Sequence, residues 1–261
     1  MRLFQYIDSD EELRKQLVPH VPKGCIYVEP FANGMSLFWY LSSPFPVEVI
    51  NDLYRDIVGI YRVLQDICNY KIIIDKLAKT PFSEEEFNRA VGIIKDPNVD
   101  FVNKTWAFFV IHGEYLIKIK KHNSEFEQFL SNMSNELPLR LKIFVYWRDR
   151  LSRVQIDCVD AIKCIKYWDT PDTVFYIEPP YDLDTELYKS LVDVLLSVKG
   201  KVLLFGYEQP AYKNLVDAGW QKLPNNELLL NYVLYLNFKK NNTLENVEKP
   251  KEKQKDKLFE F

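Results

Sequence analysis

The sequence predicts an open α/β sheet interrupted by a mostly helical insertion, on three observations. First, the run Val174-Phe175-Tyr176-Ile177 is β-branched and aromatic throughout, as a parallel strand buried on both faces would be. It stops at Glu178-Pro179-Pro180-Tyr181, where neither proline can donate a ladder hydrogen bond. A helical stripe follows in Leu187, Leu191, Val194, Leu195 and Val198. Second, residues 25–65 read strand, loop, helix twice over, with an acid at the carboxyl end of each strand. Third, residues 66–150 abandon that alternation for helical patterning.

In chain order, Ser9-Asp10-Glu11-Glu12 fits a capping box before the apolar face of Leu13, Leu17 and Val18. Gly24 breaks the chain before the strand Cys25-Ile26-Tyr27-Val28, which ends at Glu29-Pro30-Phe31-Ala32-Asn33-Gly34. An apolar stripe of Leu37, Phe38, Tyr40 and Leu41 predicts a helix, and Pro44 and Pro46 bracket a turn. The strand Val47-Glu48-Val49-Ile50 ends at Asn51-Asp52, and Leu53, Ile57, Ile60, Tyr61 and Leu64 mark an amphipathic helix. In the insertion, Ser83 is an N-cap with Glu86 at the box position. Phe82 and Phe87 form a hydrophobic staple, and Phe87, Ala90, Val91 and Ile94 give one buried face. Val154, Ile156 and Cys158 resume a strand, and Asp160 opens a helix or turn. Residues 200–207 form another buried strand and 227–238 the last strand or a hairpin, and the Lys- and Glu-rich tail has no core pattern. The expected organisation is 1–65 and 151–238 as two parts of one sheet domain, 66–150 as the insertion, and 239–261 as a disordered tail.

The chain has 261 residues, 47% of them apolar, and a formal net charge of −3. That balance argues against a general nucleic-acid coat protein and leaves room for a local basic face. The four cysteines form no C-x-x-C pair and the histidines number three, so no metal site is expected. The cysteines read as buried free thiols of a reducing cytosol. There is no signal-peptide pattern and no apolar stretch long enough to cross a bilayer, so a cytoplasmic protein is expected.

The chemistry concentrates at strand ends. A strand, a small-residue loop and a helix suit a nucleoside, because backbone can approach the ligand closely; an ordinary βα turn has the same appearance. Asp52 lies twenty-three residues after Glu29, where an acid accepts from both ribose hydroxyls or simply caps a helix. At Glu178-Pro179-Pro180-Tyr181 a carboxylate and a proline carbonyl can accept the two hydrogens of an adenine amine and aim its lone pair. Tyr181 can stack on a base flipped from a duplex. Basic residues of the insertion, Lys118, Lys120, Lys121, Arg148 and Arg150, could follow phosphates or form a solvated face.

These motifs resemble the Dam-type DNA adenine-N6 methyltransferases. "YVEPFANGMSLFW" is similar to their S-adenosylmethionine-binding motif, "EVINDLYRDIVGIYRVLQD" to the segment that follows, the stretch from Arg150 to Tyr181 to the approach to their D-P-P-Y, and "NNELLLNYVLYL" to their closing strand. The resemblance covers roughly residues 20–237 in family order. It implies a Rossmann-like mixed sheet with helices on both faces and a helical target-recognition lobe. S-adenosylmethionine would be cupped by Glu29, Pro30, Phe31, Asn33 and Gly34, with Asp52 on its ribose and Asp160 near its adenine. Glu178, Pro179, Pro180 and Tyr181 would receive the base. Three departures stand out: Glu178 replaces the family aspartate, the glycine-rich turn carries one glycine, and no G-G-K segment opens the chain.

The expected function is methylation of the adenine amine in double-stranded DNA, of host-modification or viral and mobile-element type, by a monomer or a dimer. The alternatives are an inactive relative that binds DNA or a partner, and a methyltransferase acting on an RNA or cytosine amine.

Overall fold

The computed structural model describes residues 15–34, 37–41, 45–81, 83–120, 145–181, 183–223 and 232–239. The chain divides into two compact units, one of residues 1–53 with 157–261 and one of residues 54–156. A seven-stranded sheet comprises β1 (Ile26–Glu29), β2 (Val47–Asn51), β3 (Val154–Asp157), β4 (Thr173–Ile177), β5 (Lys201–Tyr207), β6 (Gln221–Leu223) and β7 (Tyr232–Leu236). Their order across the sheet is β3-β2-β1-β4-β5-β7-β6. β1 runs parallel to β2 and β4, β4 runs parallel to β5, and β7 is antiparallel to β5 and β6. This is the mixed sheet of an α/β, Rossmann-like fold. From β1 the chain works outward through β2 to β3, then returns to β4 on β1's other side. The order therefore reverses between β1 and β4, and ligands of open α/β sheets bind at such a reversal, outside the strands' carboxyl ends.

The strands obey their composition. All five residues of β4 are buried, because an apolar strand in mid-sheet is covered above and below. One face carries the core: Val28, Phe175, Ile177, Leu204 and Tyr235 pack with Cys164 and Ile165 of α5 (Ala161–Trp168) and Leu191, Val192 and Leu195 of α6 (Thr185–Leu195). Asp160 and Asp184 cap these helices, accepting from the amides of Lys163 and Leu187 at 3.1 and 2.9 Å; each side-chain oxygen satisfies one otherwise unpaired donor of the first turn. Burial together with the nearby carboxylates of Asp157 and Asp160 pushes the Cys164 thiol up to about 12, so it packs as a small apolar group.

Gly200, at the entry to β5, is hemmed in by backbone. A Cβ there would meet the Phe175 ring and the Thr173 carbonyl at 2.9 Å and the Thr170 carbonyl at 3.1 Å. Its amide donates to Asp169 Oδ1 at 2.9 Å, and its carbonyl accepts from Asn237 at 2.9 Å, so the backbone cannot retreat without loss. Gly200→Ala is expected to destabilise by about 1–3 kcal/mol, the usual cost of overpacking. That corresponds to a fall in melting temperature of roughly 2–4 °C per kcal/mol. An unchanged melt would show that the strand entry yields freely.

The second unit has helices α1 (Arg55–Gln65), α2 (Ile67–Lys79), α3 (Glu84–Lys95) and α4 (Phe101–Lys120), and residues 145–151 are also helical. Asp66 and Ser83 cap α2 and α3, accepting from Asn69 and Glu86 amides at 2.8 and 3.2 Å. Trp106 is fully buried among Val63, Ile73, Ala90, Ala107 and Val110. Its indole donates to Thr80 Oγ1 at 2.7 Å, and Lys76 Nζ and Arg89 Cζ lie 4.6 and 4.3 Å from the ring centroid, within cation–π range. Lys104, 7% exposed, pairs with Asp56 at 2.9 Å.

Several expectations need correction. The stripe at 37–41 forms only a 3-10 turn, Phe38–Tyr40, because it is a single turn long and prolines 44 and 46 follow closely. Strand β6 was not expected from Gln-Lys-Leu; it exists by pairing with β7. Cys25 and Cys68 are exposed and Cys158 is half-buried, leaving only Cys164 buried. The capping box at 9–12, Phe82, residues 227–231 and the tail from 240 lie outside the described residues. Among the described residues, no helix is long and apolar enough to cross a membrane.

Candidate active site

The carboxyl ends of β1, β2 and β3 are tied together by one side chain. Asn51, the last residue of β2, is 1% exposed. Its amide nitrogen donates to the carbonyls of Pro30 and Val159, both at 2.9 Å, and its Oδ1 accepts from the Val159 amide at 2.9 Å. The Asn51 carbonyl also accepts from the Ala32 amide at 2.8 Å. The loops after three strands are thereby held in one arrangement.

Asp52 extends this rim. Its Oδ2 accepts from the Asn33 amide at 2.8 Å, which brings the two predicted loops into contact. Asn33 has φ 39°, a left-handed value that asparagine tolerates better than other residues with a Cβ. Asparagine thus does at 33 what a glycine would do in a richer turn. Beside Asp52, Leu53 is 69% exposed and Val159 42%, so apolar surface lies open next to the rim carboxylates.

Glu29 points inward. At 2% exposure its Oε1 accepts from the Tyr27 hydroxyl at 2.6 Å and from the Phe38 amide at 2.9 Å. Burial above all, and then the Glu29 charge, pushes the Tyr27 phenol well above its ordinary range. Tyr27 therefore keeps its proton and remains a donor. Glu29 ties the Phe38 backbone to the end of β1, and Phe31 packs against the core.

At the end of β4, Glu178 is half-buried and its Oε2 accepts from the Tyr176 hydroxyl at 2.9 Å. Pro179 is buried, and the Pro180 carbonyl accepts from the Tyr188 hydroxyl at 2.8 Å and the Leu183 amide at 3.3 Å. Tyr181 stands 71% exposed. The result is a carboxylate held at one oxygen, a rigid dipeptide and an open ring, where the strand order reverses.

A family model described as D12 class N6 adenine-specific DNA methyltransferase matches residues 6–205, well over half of the chain. The chain belongs to this family. No curated protein matches it significantly. Methylation of the adenine N6 amine in DNA is the activity that membership assigns.

Within this methyltransferase, Asn51, Tyr27, Tyr176 and Tyr188 were not singled out from the sequence, though each fixes a residue that was. Only the spacing Tyr-x-Glu, present at 27–29 and 176–178, offered a signal, since residues two apart on a strand share a face. Arg148 is half-buried and pairs with Asp149 at 2.9 Å, and Arg150 is also half-buried. Trp147 is buried and stacks on Phe109 at 6.3 Å. Lys118 and Lys120 belong to α4, but their side chains, and Lys121 altogether, lie outside the described residues.

Proposed function

We propose that the chain transfers a methyl group from S-adenosylmethionine to the N6 amine of an adenine turned out of double-stranded DNA. The observation that supports this most is the placement of Glu178-Pro179-Pro180-Tyr181 and the Asn51-bound rim at the carboxyl ends of adjacent strands in one unit.

The residues present fit the cofactor. Asp52, held by the Asn33 amide, offers a carboxylate for ribose hydroxyls, and the open faces of Leu53 and Val159 offer apolar contact for an adenine ring. Asp160 stands beside that surface, Pro30 and Gly34 let the loop lie close, and Glu29 keeps its shape. When bound, the cofactor supplies an electrophilic methyl group on a sulfonium.

The protein's own part is orientation. An adenine amine is a weak nucleophile because its lone pair is delocalised into the ring. Glu178 accepts one amine hydrogen. The Pro180 carbonyl is engaged by Tyr188 and Leu183, so the Pro179 carbonyl takes the other. Both bonds draw the lone pair out of conjugation and aim it. Tyr181 covers the face of the base, replacing the stacking lost on extrusion.

The deciding experiment incubates the full chain with labelled S-adenosylmethionine and mixed-sequence duplex DNA, then identifies the methylated nucleoside. N6-methyladenine is expected. Label found only in cytosine or RNA, or none at all, overturns the reading.

DNA recognition is assigned to the insertion at 66–150, with Lys118, Lys120, Lys121, Arg148 and Arg150 as phosphate contacts. Charge reversal at the three lysines is expected to weaken duplex binding and flatten its salt dependence, since each lost phosphate contact lowers the log–log slope by about 0.9. An unchanged affinity and slope would place the DNA elsewhere.

A further inference from the structure

We propose that Tyr176 is a positioning residue for Glu178 and sets the length of acid that works at that position; this rests on the reading of Glu178 as the acceptor for the amine. Tyr176 and Glu178 lie two residues apart at the end of β4 and share a face, and the phenol donates to Oε2 at 2.9 Å. The phenol cannot wander. Tyr176 is 2% exposed, its ring stacks on Phe205 at 6.4 Å between centroids, and Phe205 stacks in turn on Tyr232 at 5.1 Å. The donor is built into the core of the sheet, while the acid it holds stands just past the carboxyl end of β4. An exposed glutamate samples many rotamers, and ordering it costs free energy each time a substrate binds. Here one carboxylate oxygen is already held, which restrains the group before the base arrives.

The neighbouring strand carries the same device. Tyr27 donates to Glu29 at 2.6 Å, and β1 pairs with β4 in parallel with Tyr27 opposite Val174, so two Tyr-x-Glu pairs stand on neighbouring strands, staggered by two residues. In the first pair the fixed acid orders the Phe38 amide; in the second it faces the site. The bond also discriminates by length. An aspartate is shorter by one C–C bond, about 1.5 Å, and its carboxylate falls beyond hydrogen-bond reach of a phenol that cannot follow. The extra methylene of Glu178 is taken up in reaching Tyr176.

The test measures methyl transfer from S-adenosylmethionine to mixed-sequence duplex DNA by wild type, Tyr176→Phe, Glu178→Asp, the double variant and Glu178→Ala. Tyr176→Phe keeps the stacked ring and removes one hydroxyl. It is expected to lower kcat by roughly ten- to a hundredfold, the worth of a hydrogen bond to a charged group, with KM for DNA and the melting temperature unchanged. In the Glu178→Asp background the same change is expected to cost nothing further, because the bond is already lost. Full kcat in Tyr176→Phe, losses that add in the double variant, or a Tyr176→Phe chain that melts early or fails to fold would each overturn the proposal. An active wild type with inert Glu178→Ala and unimpaired Tyr176→Phe would overturn this inference alone; an inert wild type would overturn the reading beneath it as well.

Discussion

Glu178→Ala is expected to cut methyl transfer to DNA severely while leaving the affinity for S-adenosylmethionine intact. The rim that would hold the cofactor is made by Asn51, Asp52 and Asn33, and none of those bonds passes through Glu178. The change removes the acceptor that localises the amine lone pair, and with it the partner of the Tyr176 hydroxyl. Losing one preorganised group of this kind costs about a hundred- to a thousandfold in kcat. Calorimetry on wild type and variant separates the two effects: equal binding with lost turnover is expected. Robust turnover by Glu178→Ala would remove this acid, and Tyr176 behind it, from the mechanism.

The second large effect is expected at Asn51. Asn51→Asp keeps the shape of the side chain but replaces the amide nitrogen with an oxygen that faces the Pro30 and Val159 carbonyls. The bond from the Val159 amide survives, whereas the other two become repulsive. An unpaired charge left in a site 1% exposed costs about 3–5 kcal/mol. The melting temperature should fall by about ten degrees or more, and cofactor affinity should fall with it, because the loops lose their tie. The pH dependence has a definite sign. Burial against two carbonyl oxygens raises the folded-state pKa of the new acid above its unfolded value, so the variant's deficit is largest at neutral pH and narrows as pH falls and the acid protonates. Melting curves matching wild type at neutral pH would show that the staple contributes little.

The parts of this molecule that were legible in the sequence are those whose signal is local. Val174 to Ile177 read as a buried strand, Ser83 declared itself as a cap, Asp160 as the start of a helix or turn, and the prolines at 179 and 180 ended a ladder. What escaped has partners far along the chain. Asn51 bonds residues 21 positions before it and 108 after it, and nothing in "VINDL" distinguishes it from an asparagine at any strand end. Tyr176 sits inside an apolar run and looks like core, which it also is; only the fold shows that its hydroxyl reaches the acid. Gln221 to Leu223 became a strand through a neighbour rather than through propensity. Sequence reports charge but not engagement: only the fold shows that Arg148 is paired with Asp149.

The ties at the sheet's edge also bear on amide exchange. Loop amides at such an edge ordinarily trade their hydrogens with water quickly. Here Ala32 donates to the Asn51 carbonyl, Asn33 to Asp52, Phe38 to Glu29 and Val159 to Asn51. Asn33 and Val159 are exposed to solvent, yet in deuterated water their hydrogens leave only when those ties open. Ala32, Asn33 and Val159 therefore act as a clock for the opening of the ties between the loops that follow β1, β2 and β3, and Phe38 for the release of its own tie to Glu29 at the end of β1.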